Sequence, residues 1–194
     1  MIKTNGRIGW QDFSSKQKMV LNWWKNKSTR EKDGIICDGA VRSGKTLCMS
    51  LSFAMWASMN FNNAAFGICG KTITSVRRNL IAPLMKNAPE WSMEVKENRS
   101  GNYIDIRLGR AENRFYLFGG RDESSASLIQ GITLSGILMD EAVLMPRSFV
   151  EQAVARCSVA GSKLWFNCNP ENRYHWFKKD WIDTVSYTHL RAHE

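Results

Sequence analysis

Two stretches of the chain have residue types and spacing suited to phosphate chemistry. Residues Gly39 to Thr46 read GAVRSGKT, which satisfies G-x-x-x-x-G-K-[ST] at every fixed position. In such a loop the glycines let consecutive backbone N–H groups close round an anion. The helix that starts at the loop adds the positive end of its dipole. The candidate phosphate cradle is therefore Gly39, Ala40, Val41, Arg42, Ser43, Gly44, Lys45 and Thr46, with Lys45 reaching the terminal phosphates. The second stretch is Asp140–Glu141, two acids placed directly after the apolar run Ile137–Leu138–Met139. Acids at the end of a strand complete a P-loop site: the first holds the water shell of Mg²⁺, which Thr46 also ligates, and the second orients and activates the attacking water. Thr46 and Asp140 are thus the metal candidates and Glu141 the candidate base.

Three further positions bear on the same chemistry. In Leu164–Trp165–Phe166–Asn167–Cys168–Asn169–Pro170, a polar side chain at the carboxyl end of a strand beside the P-loop strand reaches toward a γ-phosphate. Asn169 is the first choice for reporting that phosphate and Asn167 the alternative; the structural reading is an Asn-Pro turn leaving the strand. Arg42, inside the loop, is placed either to stabilise charge on the transferring phosphoryl group or to bridge a neighbouring carboxylate. Gln17, preceded by Phe13, has the pattern of an adenine-reading glutamine with a stacking aromatic, although a lone helical Gln is more often solvated. His175, between Tyr174 and Trp176, has no second ligand at metal spacing and reads as structural or surface.

These residues need a scaffold, and the hydrophobic pattern supplies one. Phe13 to Trp24 has helical spacing with Ser14 or Ser15 as N-cap. Ile35 to Asp38 reads as a short buried strand, Lys45 to Met59 as the helix after the loop, Ala65 to Cys69 as a second strand, and Thr72 to Lys86 as a second helix. That β-α-β-α order with short connections predicts a parallel sheet. Trp91–Val95, Tyr103–Leu108 and Arg114–Phe118 alternate like antiparallel strands. A polar loop, Gly119 to Ser127, leads to the strand Ile137–Met139, a helix near Pro146–Ala155, and a last buried strand, Lys163–Asn167. The expected fold is α/β: a P-loop parallel sheet flanked by helices, with an antiparallel edge extension around residues 91–118.

Composition narrows the class. With 194 residues, 43% hydrophobic and 23% charged, the chain suits one globular domain. The 27 basic and 18 acidic residues give a formal charge of +9, which favours a polyanionic partner. Basic positions cluster at Lys71, Arg77 and Arg78, at Arg107, Arg110 and Arg114, and at Lys178 and Lys179. The first cluster, after a parallel strand, is where a translocase would hold a phosphate backbone; any of them also reads as a solvated face. The five cysteines show no C-x-x-C spacing and fit a reducing compartment. Leu47 to Met59 is interrupted by Ser50, Ser52 and Ser58 and falls short of the about 20 apolar residues a spanning helix needs. No secretion signal is expected at the N-terminus, and no membrane association.

GAVRSGKT, LIQGITLSGILMDEAVLMPRSFVEQAVARCS and KLWFNCNPENRYHWFKKDW together resemble the large terminase subunit of tailed bacteriophages, of the type found in phages and prophages of Gram-positive bacteria. The resemblance covers about residues 10 to 183. It implies an ASCE-type ATPase domain that uses ATP and Mg²⁺ to drive double-stranded DNA into an empty procapsid. It also implies the phage portal and a small terminase subunit as partners, allows a homo-oligomeric ring on the portal, and places the protein in the host bacterial cytoplasm. By motif match, Lys45 and Thr46 take the Walker A roles and Asp140 and Glu141 the Walker B roles. Cys168–Asn169–Pro170 falls on the coupling motif and Gln17 on the adenine-binding motif. Many family members place the P-loop arginine one position before Arg42. The family's C-terminal nuclease domain is expected to be missing, and DNA cleavage with it. The expected organisation is an ATPase domain over 1–185, with 1–33 as a helical lead, and a non-native tail without function over 186–194. Two other readings fit the same residues. A helicase-like P-loop ATPase would separate DNA strands, whereas a terminase would respond to procapsids or portal. A non-hydrolysing, nucleotide-gated DNA-binding fragment would show no turnover.

Overall fold

Apolar residues on both sides of a strand call for cover on both sides of the sheet, and the centre of this fold is built that way. The computed structural model describes residues 8–39, 44–168, 175–182 and 188–192. Strands β1 (Gly34–Gly39), β2 (Ala65–Gly70), β3 (Met93–Asn98), β4 (Tyr103–Leu108), β5 (Ala111–Gly119), β6 (Gly136–Asp140), β7 (Lys163–Cys168) and β8 (Thr188–Ala192) form one sheet, in the order β3-β4-β5-β2-β6-β7-β1-β8. From β5 to β8 every neighbouring pair is parallel, and only β3-β4-β5 pair antiparallel. The fold is therefore the expected parallel α/β sheet with an antiparallel edge, and β7 lies directly beside the P-loop strand β1.

Helices α1 (Ser15–Asn22), α2 (Lys45–Asn60), α3 (Ile73–Val76) and α4 (Ala82–Asn87) pack one face, and α5 (Arg147–Ala155) packs the other. A π-helical stretch, Arg77–Ile81, joins α3 to α4 just before Pro83, which has no N–H to continue the regular ladder. The helix α2 is buried almost all round, from Cys48 to Ser58, as its nearly continuous apolar sequence requires. Phe53 and Trp56 lie against Phe66, and both also touch Trp165 of β7, with ring centroids 4.8 to 5.7 Å apart. Ser52 in the middle of α2 donates to Val20 O at 2.9 Å and accepts from Trp165 Nε1 at 3.2 Å, so one hydroxyl ties α1, α2 and β7 together.

Side-chain alternation then sets the site. Leu138 and Trp165 belong to the core under α2, whereas Ile137, Met139, Leu164 and Phe166 belong to the core under α5. Two residues on from Leu138 and Trp165, Asp140 and Asn167 return to the α2 side.

The structure corrects three boundaries. The strand expected from Trp91 begins at Met93, because Ala88–Trp91 form a 3₁₀ turn that ends at Ser92 in the left-handed region, φ 56°. The strand expected from Arg114 begins at Ala111. The polar loop expected over Gly119–Ser127 contains a 3₁₀ helix, Glu123–Ile129, capped by Asp122 and Ser125. Within the expected tail, Thr188–Ala192 pairs in parallel with β1 at the sheet edge. No helix of the described residues is long and apolar enough to cross a membrane.

Candidate active site

Because β1, β7, β6 and β2 run parallel, Gly39, Cys168, Asp140 and Gly70 all end at one edge of the sheet, where α/β folds bind ligands. β1 stops at Gly39 and α2 starts at Lys45, with Gly44 as its N-cap at φ 75°, so the GAVRSGKT segment connects strand to helix as predicted. A side chain at Gly44 would be strained, and its Cβ would lie 2.8 Å from Gln17 Nε2. The first turn of α2 is Lys-Thr-Leu-Cys, which leaves the positive helix end without an acidic side chain of its own. Ala40, Val41, Arg42 and Ser43 lie outside the described residues, as does Asn169.

Three side chains meet at this edge. Asn167 Nδ2 donates to Thr46 Oγ1 at 3.1 Å and to Asp140 Oδ1 at 2.6 Å. Asp140 is 5% exposed, and burial pushes its pKa up to about 6. The Asn167 hydrogen bond and Lys45 oppose that rise, while Glu141 adds to it. Burial likewise pulls the Lys45 ammonium below its ordinary value, against Cys168, Cys37, Asp38 and Asp140 around it. A hydroxyl and a carboxylate oxygen drawn together, with a lysine nearby, are hard oxygen donors that suit Mg²⁺ beside a polyphosphate. Glu141 is exposed and takes the left-handed conformation, φ 55° and ψ 47°, which a glutamate rarely adopts. The chain thereby turns sharply after β6, and backbone strain of this kind collects at functional sites. Cys37, Cys48 and Cys168 are buried, and desolvation raises all three thiols, so they are protonated and inert.

A family model described as the terminase large subunit, T4likevirus-type, N-terminal, matches residues 36–189. The chain belongs to that family. It is 54% identical to the large terminase from a thermophilic bacteriophage, with a TM-score of 0.88, over 92% of this chain and 45% of that one. Structures of the same terminase in complex with ADP and with ATP-gamma-S match at 52% and 51% identity, with TM-scores of 0.88 and 0.85, over 92% of this chain and 45% and 44% of theirs. The Thermus phage P74-26 large terminase ATPase domain, 14% identical, shares the fold at a TM-score of 0.67 over 89% of this chain and 79% of that one. No curated protein sequence matches. The chain thus spans about 45% of the length of the thermophilic phage terminase.

Within the terminase frame, the remaining candidates separate by what holds them. Gln17 is the N3 residue of α1: Ser14 N–H donates to its Oε1 at 2.9 Å, and Ser14 Oγ accepts from Gln17 N–H at 3.3 Å. The S-x-x-Q spacing of this capping box is visible in the sequence. Gln17 thus stands at the start of α1 with its amide close to the P-loop glycine Gly44. Phe13 is buried with its ring 6.0 Å from Trp91, so it serves the core beside α1. Arg77, part of the first basic cluster, bridges to the hairpin: it donates to Glu97 Oε1 at 2.8 Å, Arg99 O at 3.0 Å and Asn102 Oδ1 at 2.9 Å. Lys71, just past β2, and Arg78 differ from it: both are exposed. His175 Nδ1 accepts from Phe177 N–H at 3.2 Å, a local turn contact. Of the two asparagine candidates, Asn169 is outside the described residues and Asn167 lies among the site side chains. Its signal was a polar residue inside the apolar run of β7, since a buried amide needs partners.

Proposed function

We propose that the chain is the ATP-hydrolysing DNA-packaging motor domain of a phage terminase large subunit, translocating double-stranded DNA into a procapsid. The observation that carries this reading is the convergence of Thr46, at the start of the post-loop helix, and Asp140, at the end of β6, on one amide nitrogen. Family membership and the nucleotide complexes of the thermophilic phage terminase support it.

In this account the backbone of Gly39–Thr46 cradles the α- and β-phosphates of ATP and Lys45 bonds the terminal phosphates. Thr46 and Asp140 would hold Mg²⁺, which would supply positive charge to the polyphosphate. Glu141 orients a water and accepts its proton as the water oxygen bonds to the γ-phosphorus and the bond to ADP breaks. Asn169 reports the γ-phosphate, Arg42 stabilises the charge that develops on it, and Gln17 reads adenine. Little covalent chemistry falls to the protein, so catalysis rests on positioning and charge. The net charge of +9 suits a DNA phosphate backbone, with Lys71 and Arg78 the track candidates beside the site. Portal, procapsid and small terminase subunit are the assembly partners, in the host bacterial cytoplasm, and copies of the domain form a ring on the portal. DNA cleavage is assigned to none of these 194 residues.

The test is Mg²⁺-dependent phosphate release by the purified chain, alone and with matched procapsids or portal. Turnover that rises with portal supports the motor, and strand separation without portal response would favour a helicase-like role. Nucleotide binding without any turnover would reduce the chain to a nucleotide-gated fragment. Supercoiled plasmid should stay intact with Mg²⁺ or Mn²⁺ throughout.

A further inference from the structure

Asn167 stands in register with Asp140 on one side and with Cys37 of the P-loop strand on the other. It is 7% exposed, in a strand whose other central residues, Leu164, Trp165 and Phe166, are buried and apolar. Packing alone has no use for an amide at such a position, because an apolar residue of similar size fills the space without desolvating polar atoms. Both hydrogens of the Asn167 NH₂ group are engaged, one on Thr46 Oγ1 and one on Asp140 Oδ1. Its oxygen, Oδ1, is buried and has no hydrogen-bond partner among the described residues. The reversed amide would set that oxygen against the Asp140 carboxylate and lose that bond, so the orientation is fixed by chemistry. The side chain leaves its acceptor unpaired while aiming both donors at the two oxygens of the candidate cation site.

We propose that Asn167 is the positioning residue of that site. Its donor-only amide nitrogen holds the Thr46 hydroxyl and the Asp140 carboxylate together before the cation arrives, so that neither has to be ordered when it binds. The proposal rests on the reading above that Thr46 and Asp140 hold a divalent cation. Partners that orient metal ligands in this way change metal affinity by about 10- to 100-fold when removed. They leave the affinity for metal-free nucleotide alone.

The experiment is ADP binding to the full 194-residue chain by calorimetry, in EDTA and in Mg²⁺, with the free-ion signal of Mn²⁺ in electron paramagnetic resonance as a direct metal readout. The wild type should bind ADP more tightly with Mg²⁺ than in EDTA. If it binds ADP equally in both, the cation reading of Thr46 and Asp140 fails, and this proposal with it. Given a metal-dependent wild type, Asn167→Ala should lose about 10- to 100-fold of the Mg²⁺ enhancement and of Mn²⁺ affinity, with binding in EDTA unchanged. Asn167→Ser keeps a polar group that reaches only one of the two oxygens; it should lose part of the same enhancement, and it carries the test if the alanine variant does not fold. A residue needed only for packing would lower the melting temperature and leave the ratio of the two ADP affinities where it was. An enhancement that is unchanged or increased in a folded variant overturns the proposal.

Discussion

The antiparallel extension and the carboxyl edge of the parallel strands treat charge in opposite ways. On the extension, the outward rows read Glu94–Arg107–Glu112 and Lys96–Asp105–Arg114 across three strands. Arg107 and Lys96 both pair with Glu94, while Arg114 holds Asp105 through two bonds at 2.8 and 3.0 Å and lies 3.9 Å over the Tyr103 ring. Charges on that face answer one another, and the inward residues Ile104, Ile106, Phe115 and Leu117 are plain core. In its two hairpin turns the left-handed residues are Asn102 and Gly109, types that take the conformation readily. At the carboxyl edge of the parallel strands the pattern is reversed. Asp140 is buried with a raised pKa, Asn167 has an unpaired oxygen among the described residues, and Glu141 occupies a conformation that suits Asn or Gly. Ser92 before β3 apart, local rules are kept where the sheet is only structure and broken where a ligand would complete the site.

This contrast is easiest to break at Glu141. Glu141→Gln keeps size and hydrogen bonding but removes the base, so turnover should fall by about 10²- to 10⁴-fold while ATP still binds. Glu94→Gln on the extension should leave turnover unchanged. Equal hydrolysis by Glu141→Gln and wild type would mean that another residue orients the water. DNA binding gives the next contrast. Neutralising Lys71 and Arg78 together should reduce the slope of log K against log salt by about two units if both touch phosphates, and neutralising Arg107 and Arg114 should not change it. The reverse result would move the DNA track onto the extension.

Smaller effects sharpen the comparison in stability. Arg77 is a half-buried strut between the α3 region and the β3–β4 hairpin, so Arg77→Ala should cost about 1–3 kcal/mol in chemical denaturation, at the level of a hydrogen-bonded charged group. Its turnover should equal that of wild type; loss of turnover with intact stability would give Arg77 a role in the site. Arg107→Ala, which breaks only an exposed pair, should leave the melting temperature unresolved from wild type.

Much of this was legible in the residues. GAVRSGKT and the acids after Ile137–Met139 depend on local geometry, a loop joining strand to helix and a strand end, so their places in the fold follow from spacing. The parallel order followed from strands alternating with helices. The partners of Asn167 were beyond the sequence, because they come from elements distant along the chain. Asn167 is set apart by what faces it: Thr46 and Asp140 arrive from another helix and another strand. Arg77 shows the same limit. Its cluster with Lys71 and Arg78 reads as a phosphate track until Glu97 and Asn102 come round the hairpin to meet it. The start of β3 was missed for a different reason: Ser92 adopts a left-handed turn that nothing in serine's chemistry announces.

The central claim is that a P-loop lysine at this sheet edge drives ATP hydrolysis, and Lys45→Ala tests it most directly. The side chain is only partly buried at the start of α2 and contributes little to the core, so the variant should melt as the wild type does. Its Mg²⁺-dependent phosphate release should fall by orders of magnitude, because the charge that aligns the terminal phosphates is gone. A folded Lys45→Ala chain that hydrolyses ATP at the wild-type rate would contradict the account.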